Sequence, residues 1–193
     1  MSNIIHLKNT DASQSIQQAL KALTDNKIIV FPTETVYGLA CRADSPEAIQ
    51  KIFHTKQRPT SQPLTLHIGD ISQLKQHNIT LEPEIHKICE TYWPGPLTII
   101  DHHKTESIGI RCPKHTWTQT LLQQCSFPVV ATSVNLSGKN PIHQAKKIAQ
   151  TFPNIEYIFE DDNAISKQSS TIIDVRKKSI KIIRQGIIHF PHL

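Results

Sequence analysis

Along most of this chain, stretches with apolar residues at helical spacing alternate with strand-like apolar runs. In "SQSIQQALKAL" (13–23), Ile16, Ala19, Leu20 and Leu23 fall on one face of a predicted helix, and "KIIVF" (27–31) then reads as a buried strand. "SPEAIQKIF" (45–53) predicts a second helix, with Ser45 as N-cap, Pro46 at the first helical position and Ile49, Ile52 and Phe53 as its buried stripe. Further strands are predicted at 63–68, 96–100, 107–113, 127–133, 155–160, 170–176 and 179–186, and helices at 82–92, 114–125 and 143–151. Strands interleaved with helices predict an α/β fold. The strand-rich C-terminal third predicts a mixed rather than wholly parallel sheet.

Alternation within two strands separates a core face from a face free for chemistry. In "PLTLHI", Leu64, Leu66 and Ile68 share one side and leave Thr65 and His67 on the other. In "SIGIRC", Ile108, Ile110 and Cys112 face the core and leave Ser107, Gly109 and Arg111 together. An arginine beside a glycine has room above it, which suits capture of a carboxylate by the guanidinium fork. An ordinary solvated sheet face would carry the same pattern.

The loop after the second helix, "FHTKQRPTSQPL" (53–64), holds two cations two residues apart, Lys56 and Arg58. Pro59 disfavours a helical Arg58, and in an extended segment residues two apart project to one side. At roughly 6–7 Å their repulsion would cost about 2–3 kcal/mol at an effective dielectric near 20, and well under ~1 kcal/mol in water. Either both face solvent or an anion such as a polyphosphate lies between them. A second polar group follows the strand at 127–133: Thr132, Ser133, Asn135 and Ser137 stand where α/β sheets present ligand sites, or form a simple turn.

At 193 residues with 38% hydrophobic and 19% charged composition, the chain predicts one globular domain, 1–193. A formal charge of +5 suits a protein that meets phosphates on a nucleotide or on RNA. Arg176, Lys177, Lys178, Lys181 and Arg184 gather around the last strand, a solvated turn or an RNA footprint. Cys41, Cys89, Cys112 and Cys125 are too scattered for structural zinc or a redox dithiol and read as reduced, mostly buried thiols. "DHH" (101–103) reads as a solvated strand end. No G-x-G-x-x-G, P-loop, G-x-S-x-G or H-E-x-x-H motif can be written, and no apolar run approaches a membrane span. A soluble, cytoplasmic protein without a membrane partner is expected.

The motifs "FPTETVYGLA", "KQRPTSQPL", "WPGPLTII", "GIRCP", "TSVNLSG", "SSTIID" and "IIRQG" occur in the order seen in the YrdC-like family, which the chain resembles over nearly its whole length. The resemblance implies a twisted mixed α/β fold with a positively charged concave face. It implies a nucleotidyltransferase that joins L-threonine, bicarbonate and ATP into threonylcarbamoyl-AMP and pyrophosphate, for threonylcarbamoyladenosine in tRNA. By motif, Lys56 and Arg58 resemble a catalytic pair on the ATP phosphates, and Gln62, Ser107, Ser133, Asn135 and Arg184 fall at nucleotide-contacting positions. Thr35, His67, Arg111 and Ser170 fall where the family holds threonine, with Arg111 on its carboxylate. Gln62 stands where relatives commonly have Asn. Magnesium is expected to arrive with ATP, with no carboxylate cluster to mark a dedicated metal site. tRNA and the downstream threonylcarbamoyl-transferase proteins are the implied partners. The competing reading is a non-catalytic module that grips RNA by its phosphates.

Overall fold

The computed structural model describes residues 2–103, 106–177 and 179–190. In chain order the elements are β1 (Asn3–His6), α1 (Ala12–Thr24), β2 (Ile29–Phe31), β3 (Gly38–Arg42), α2 (Pro46–Lys56), β4 (Thr65–His67), α3 (Gln73–Gln76) and α4 (Pro83–Tyr92). They continue with β5 (Leu97–His103), β6 (Glu106–Arg111), α5 (Thr116–Gln124), β7 (Val129–Ser133), α6 (Ala145–Thr151), β8 (Tyr157–Glu160), β9 (Thr171–Asp174) and β10 (Lys181–Arg184). All these strands join one sheet in the order β1-β8-β2-β3-β7-β4-β6-β5-β9-β10. Parallel pairs (β1/β8, β2/β8, β4/β6, β5/β9) and antiparallel pairs share it, which is the mixed α/β architecture predicted.

Local chemistry sets the element ends. Asp11 accepts from the Gln14 amide at 2.8 Å to start α1, and Ser45 accepts from Ala48 at 3.2 Å to start α2, with Pro46 in its first turn. Gln57 closes α2 in the left-handed region, φ 51°. The expected helices and strands are all present, with ends trimmed by at most two residues or extended by at most three. Three elements escaped the sequence reading. β1 is only four residues long, α3 is a single turn, and β3 is buried on both faces, so "GLACR" shows no alternation.

The two faces of the sheet are covered differently, and the difference makes the site. Ile29, Phe31, Ala40 and Ala131 turn one face towards α1 and α5, where they pack with Leu23, Trp117 and Leu121. The intervening Val30, Leu39 and Cys41 face α2 and α6, where Ile52 alone contributes roughly 1.5–3 kcal/mol by burial. Further along that second face, Leu66, Ile99 and Ile110 pack with Leu74 of α3 and Ile85 of α4. The first face continues past β7 through Thr65, Gly109 and Arg111 in register, but there its residues line a cavity instead of a helix interface. All four cysteines are buried and free, as expected.

Candidate active site

The floor of the cavity is the polar side of β4 and β6. Register pairs Thr65 with Gly109 and His67 with Arg111, while Leu66 and Ile110 face the core, as the alternation predicted. A Cβ on Gly109 would stand 3.1 Å from Thr65 Oγ1, so the glycine keeps the floor open beside Arg111. Gly38 matters one layer away, because a Cβ there would lie 2.6 Å from the Phe31 ring. That ring meets the His67 imidazole edge-on at 5.7 Å and braces it.

His67 is held in one tautomer. Its Nδ1 lies 2.9 Å from the Thr65 carbonyl oxygen, which can only accept, so Nδ1 carries the proton and Nε2 keeps its lone pair. Burial, and secondarily the Arg111 charge, pull its pKa down to about 3. It is therefore a neutral acceptor in a site otherwise crowded with cations.

Arg111 is 6% exposed and is oriented from behind by the loop after β2. Its Nη2 donates to Glu34 Oε1 at 3.0 Å and to Thr35 Oγ1 at 2.5 Å, while its buried Nε has no partner. Thr33 is buried beside them, accepts from the amides of Thr35 and Val36, and contacts Thr35 Oγ1 at 2.9 Å. On the far wall, Ser170 Oγ lies 3.0 Å from Thr98 Oγ1 and accepts from Arg184 Nη2 at 3.1 Å. Arg184 also donates to the Ser170 carbonyl, and desolvation, followed by the Arg111 charge, lowers its pKa.

The loop after α2 departs from the expected geometry. Lys56 and Arg58 do not lie side by side on an extended strand: Lys56 ends the helix, and left-handed Gln57 separates the two. The Lys56 side chain is 1% exposed, and its ammonium donates to the carbonyls of Ser133 and Asn135, the latter at 2.9 Å, and to Asn135 Oδ1 at 3.1 Å. Its own carbonyl accepts from the Ser137 amide at 2.9 Å. When the amine is protonated, three acceptors use all three protons, so Lys56 fixes the Ser-x-Asn loop and leaves no donor for a phosphate. Burial, and secondarily Arg58, pull its pKa down to about 7.

Asn135 is committed in the same way. Its Oδ1 also takes the Ser133 hydroxyl at 2.6 Å, and its Nδ2 donates to the Leu136 and Lys139 carbonyls. Arg58 lines the cavity instead, steadied by the carbonyls of Gln62 and Pro63 at 3.2 Å each.

Of the eleven residues proposed from sequence, Arg58, His67, Arg111, Ser133, Ser170 and Arg184 line this one cavity. Thr35, Lys56 and Asn135 stand directly behind its walls. Gln62 is exposed and contributes its backbone carbonyl to Arg58. Ser107 shares the strand face of Arg111 but pairs with His102 towards the outer end of β5 and β6, away from the cavity walls.

The sequence reading missed Thr33, Glu34 and Thr98. Glu34 carried a signal, as the only charged residue between Lys27 and Arg42. Among the described residues no group of three or more His, Cys, Asp or Glu side chains could hold a metal ion, and no helix is long and apolar enough to cross a membrane. The expected basic cluster near the C-terminus disperses: Arg176 pairs with Asp174, Arg184 turns into the cavity, and Lys178 lies outside the described residues.

The arrangement defines an α/β protein with a sheet-floored cavity lined by three guanidinium groups, one neutral imidazole and a set of hydroxyls. A profile of the Sua5/YciO/YrdC family, described as telomere recombination, matches residues 21–186. The chain belongs to the Sua5/YciO/YrdC family.

It is 37% identical over 145 residues to a Bacillus subtilis (strain 168) protein named threonylcarbamoyl-AMP synthase, covering 69% of this chain and 42% of that one. It is 29% identical over 197 residues to a Pyrococcus abyssi protein of the same name, covering 96% of this chain and 58% of that one. The chain thus spans about half the length of these relatives. The solved structure of P. abyssi Sua5 complexed with L-threonine superposes with a TM-score of 0.86 at 27% identity, covering 96% of this chain and 57% of that one. The fold also matches E. coli YciO, with a TM-score of 0.85 at 24% identity over 97% of each chain.

Proposed function

We propose that this protein is a threonylcarbamoyl-AMP synthase that condenses L-threonine, bicarbonate or carbon dioxide, and ATP, releasing pyrophosphate. The convergence of Arg58, Arg111 and Arg184 on one cavity carries the proposal. Guanidinium groups that oppose one another when the site is empty are stabilised by a ligand with both a carboxylate and a polyphosphate. The names of the relatives and the threonine complex of P. abyssi Sua5 support the same reading.

Arg111 takes the threonine carboxylate, with Thr35, His67 and Ser170 around the rest of the amino acid. The unprotonated amine bonds to the carbon of carbon dioxide and loses a proton. A carboxylate oxygen of the resulting carbamate then attacks the α-phosphorus in line. The bond from the α-phosphorus to the bridging oxygen breaks, and pyrophosphate leaves with the electron pair. Arg58 and Arg184 offset its charge, and Lys56 holds Ser133 and Asn135 in place for the nucleotide. Magnesium arrives with ATP as part of that substrate. The product serves tRNA modification through the transferase proteins downstream.

The test uses purified protein, ATP, magnesium and bicarbonate, with pyrophosphate measured in the presence and absence of L-threonine. Threonine-dependent release is expected. Release that is absent, or indifferent to threonine, refutes the proposal.

A further inference from the structure

Arg111 is held by a carboxylate that takes no part in the cavity wall. Glu34 Oε1 accepts from Arg111 Nη2 at 3.0 Å, and Oε2 accepts from the Lys114 amide at 3.0 Å, just past the end of β6. The Glu34 carbonyl accepts from the Ser166 amide at 3.1 Å, and the next carbonyl, of Thr35, accepts from Lys167 at 3.1 Å. One residue thus ties together the loop after β2, the β6–α5 junction and the segment preceding β9. Arg111 lines the cavity; Glu34 does not.

A buried guanidinium needs a counter-charge, and a flexible one must be ordered when its ligand arrives. Glu34 meets both needs at a single nitrogen, shared with Thr35, and does not engage the buried Nε. We propose that Glu34 is the positioning residue of the amino-acid subsite: it fixes the Arg111 fork from behind so that its remaining donors meet the substrate carboxylate at a set angle. The inference deepens the proposed function and rests on it. The alternative geometry, a carboxylate competing with substrate for the same donors, has the opposite consequence. Removing a competitor would tighten threonine binding, whereas removing a positioner loosens it.

Steady-state pyrophosphate release by the full chain separates these cases. Glu34→Ala is expected to raise the KM for L-threonine at least tenfold, to leave the KM for ATP within about twofold and to lower kcat no more than about threefold. Glu34→Gln keeps an oxygen for Arg111 but loses the charge, and should fall between Glu34→Ala and wild type. An unchanged or lowered threonine KM in either variant overturns the inference. So does a rise in the ATP KM equal to that for threonine, the mark of general loosening. If Glu34→Ala does not fold, as judged by circular dichroism, Glu34→Gln decides alone by the same criteria. Wild type without threonine-dependent release overturns the proposed function and this inference with it, while active wild type with indifferent variants overturns only the role of Glu34.

Discussion

The two sides of the cavity are built by opposite means. On the β4 and β6 side, His67 and Arg111 project from paired strands whose other faces are core, so their direction follows from the backbone. On the α2 side, direction is set by one left-handed residue, Gln57, and by a lysine turned inward onto three oxygens. The strand side turns its charged group to the cavity, whereas the loop side spends one of its two cations on its own architecture. Similar charges in one site can therefore do different work, and what distinguishes them is whether protein oxygens already take their donors: Lys56 and Arg111 are both buried, but Arg111 keeps an unpartnered Nε.

The sharpest way to break this comparison is at the strand side. Arg111→Ala should lower kcat/KM for threonine at least a hundredfold, about 2.7 kcal/mol, mostly through KM. An ATP defect of equal size would show that Arg111 does not belong to a separate amino-acid subsite.

On the loop side, Arg58→Ala should cost about tenfold or more in activity, about 1.4 kcal/mol. Its half-exposed position predicts a change in unfolding free energy within about 0.5 kcal/mol. Lys56→Met should lose activity on a similar scale but also lose about 1–3 kcal/mol of stability, because buried carbonyls lose their donor. Equal stability of the two variants in urea would erase the distinction between ligand and strut.

Lys56 also predicts a pH dependence. Its folded pKa of about 7 lies below the ordinary 10.5, so between those values the unfolded chain binds a proton that the folded chain lacks. The stability of wild type relative to Lys56→Met should rise with pH across that window and level off on either side. A flat difference would contradict the burial of the ammonium. The smallest effect belongs to Gln57→Gly, which removes the left-handed penalty and should change stability by a few tenths to about 1 kcal/mol in the favourable direction.

The same contrast explains what could be read from sequence. Thr65, His67, Gly109 and Arg111 were legible because a period of two leaves each residue only two choices of face. The burial of Lys56 was not legible, because its acceptors, the Ser133 and Asn135 carbonyls, lie more than seventy residues away and are backbone atoms common to every residue type. Pro59 correctly excluded a helical Arg58, but the turn falls one residue earlier, at Gln57, where no glycine or asparagine announces it. β3 escaped for a related reason, since a strand buried on both faces loses the alternation that marks its neighbours.

The buried cysteines have a practical consequence for watching this protein open. Cys125 lies in the core under α1 and α5, Cys41 in the core under α2 and α6, and Cys89 and Cys112 in the core against α3 and α4. Burial drives each thiol to a pKa of about 12, so alkylating reagents meet an inert, inaccessible sulfur until the surrounding layer separates. Each of the three layers thus carries a native chemical clock. Labelling rates resolved by mass spectrometry would report whether the layers part together or in sequence, without an introduced probe.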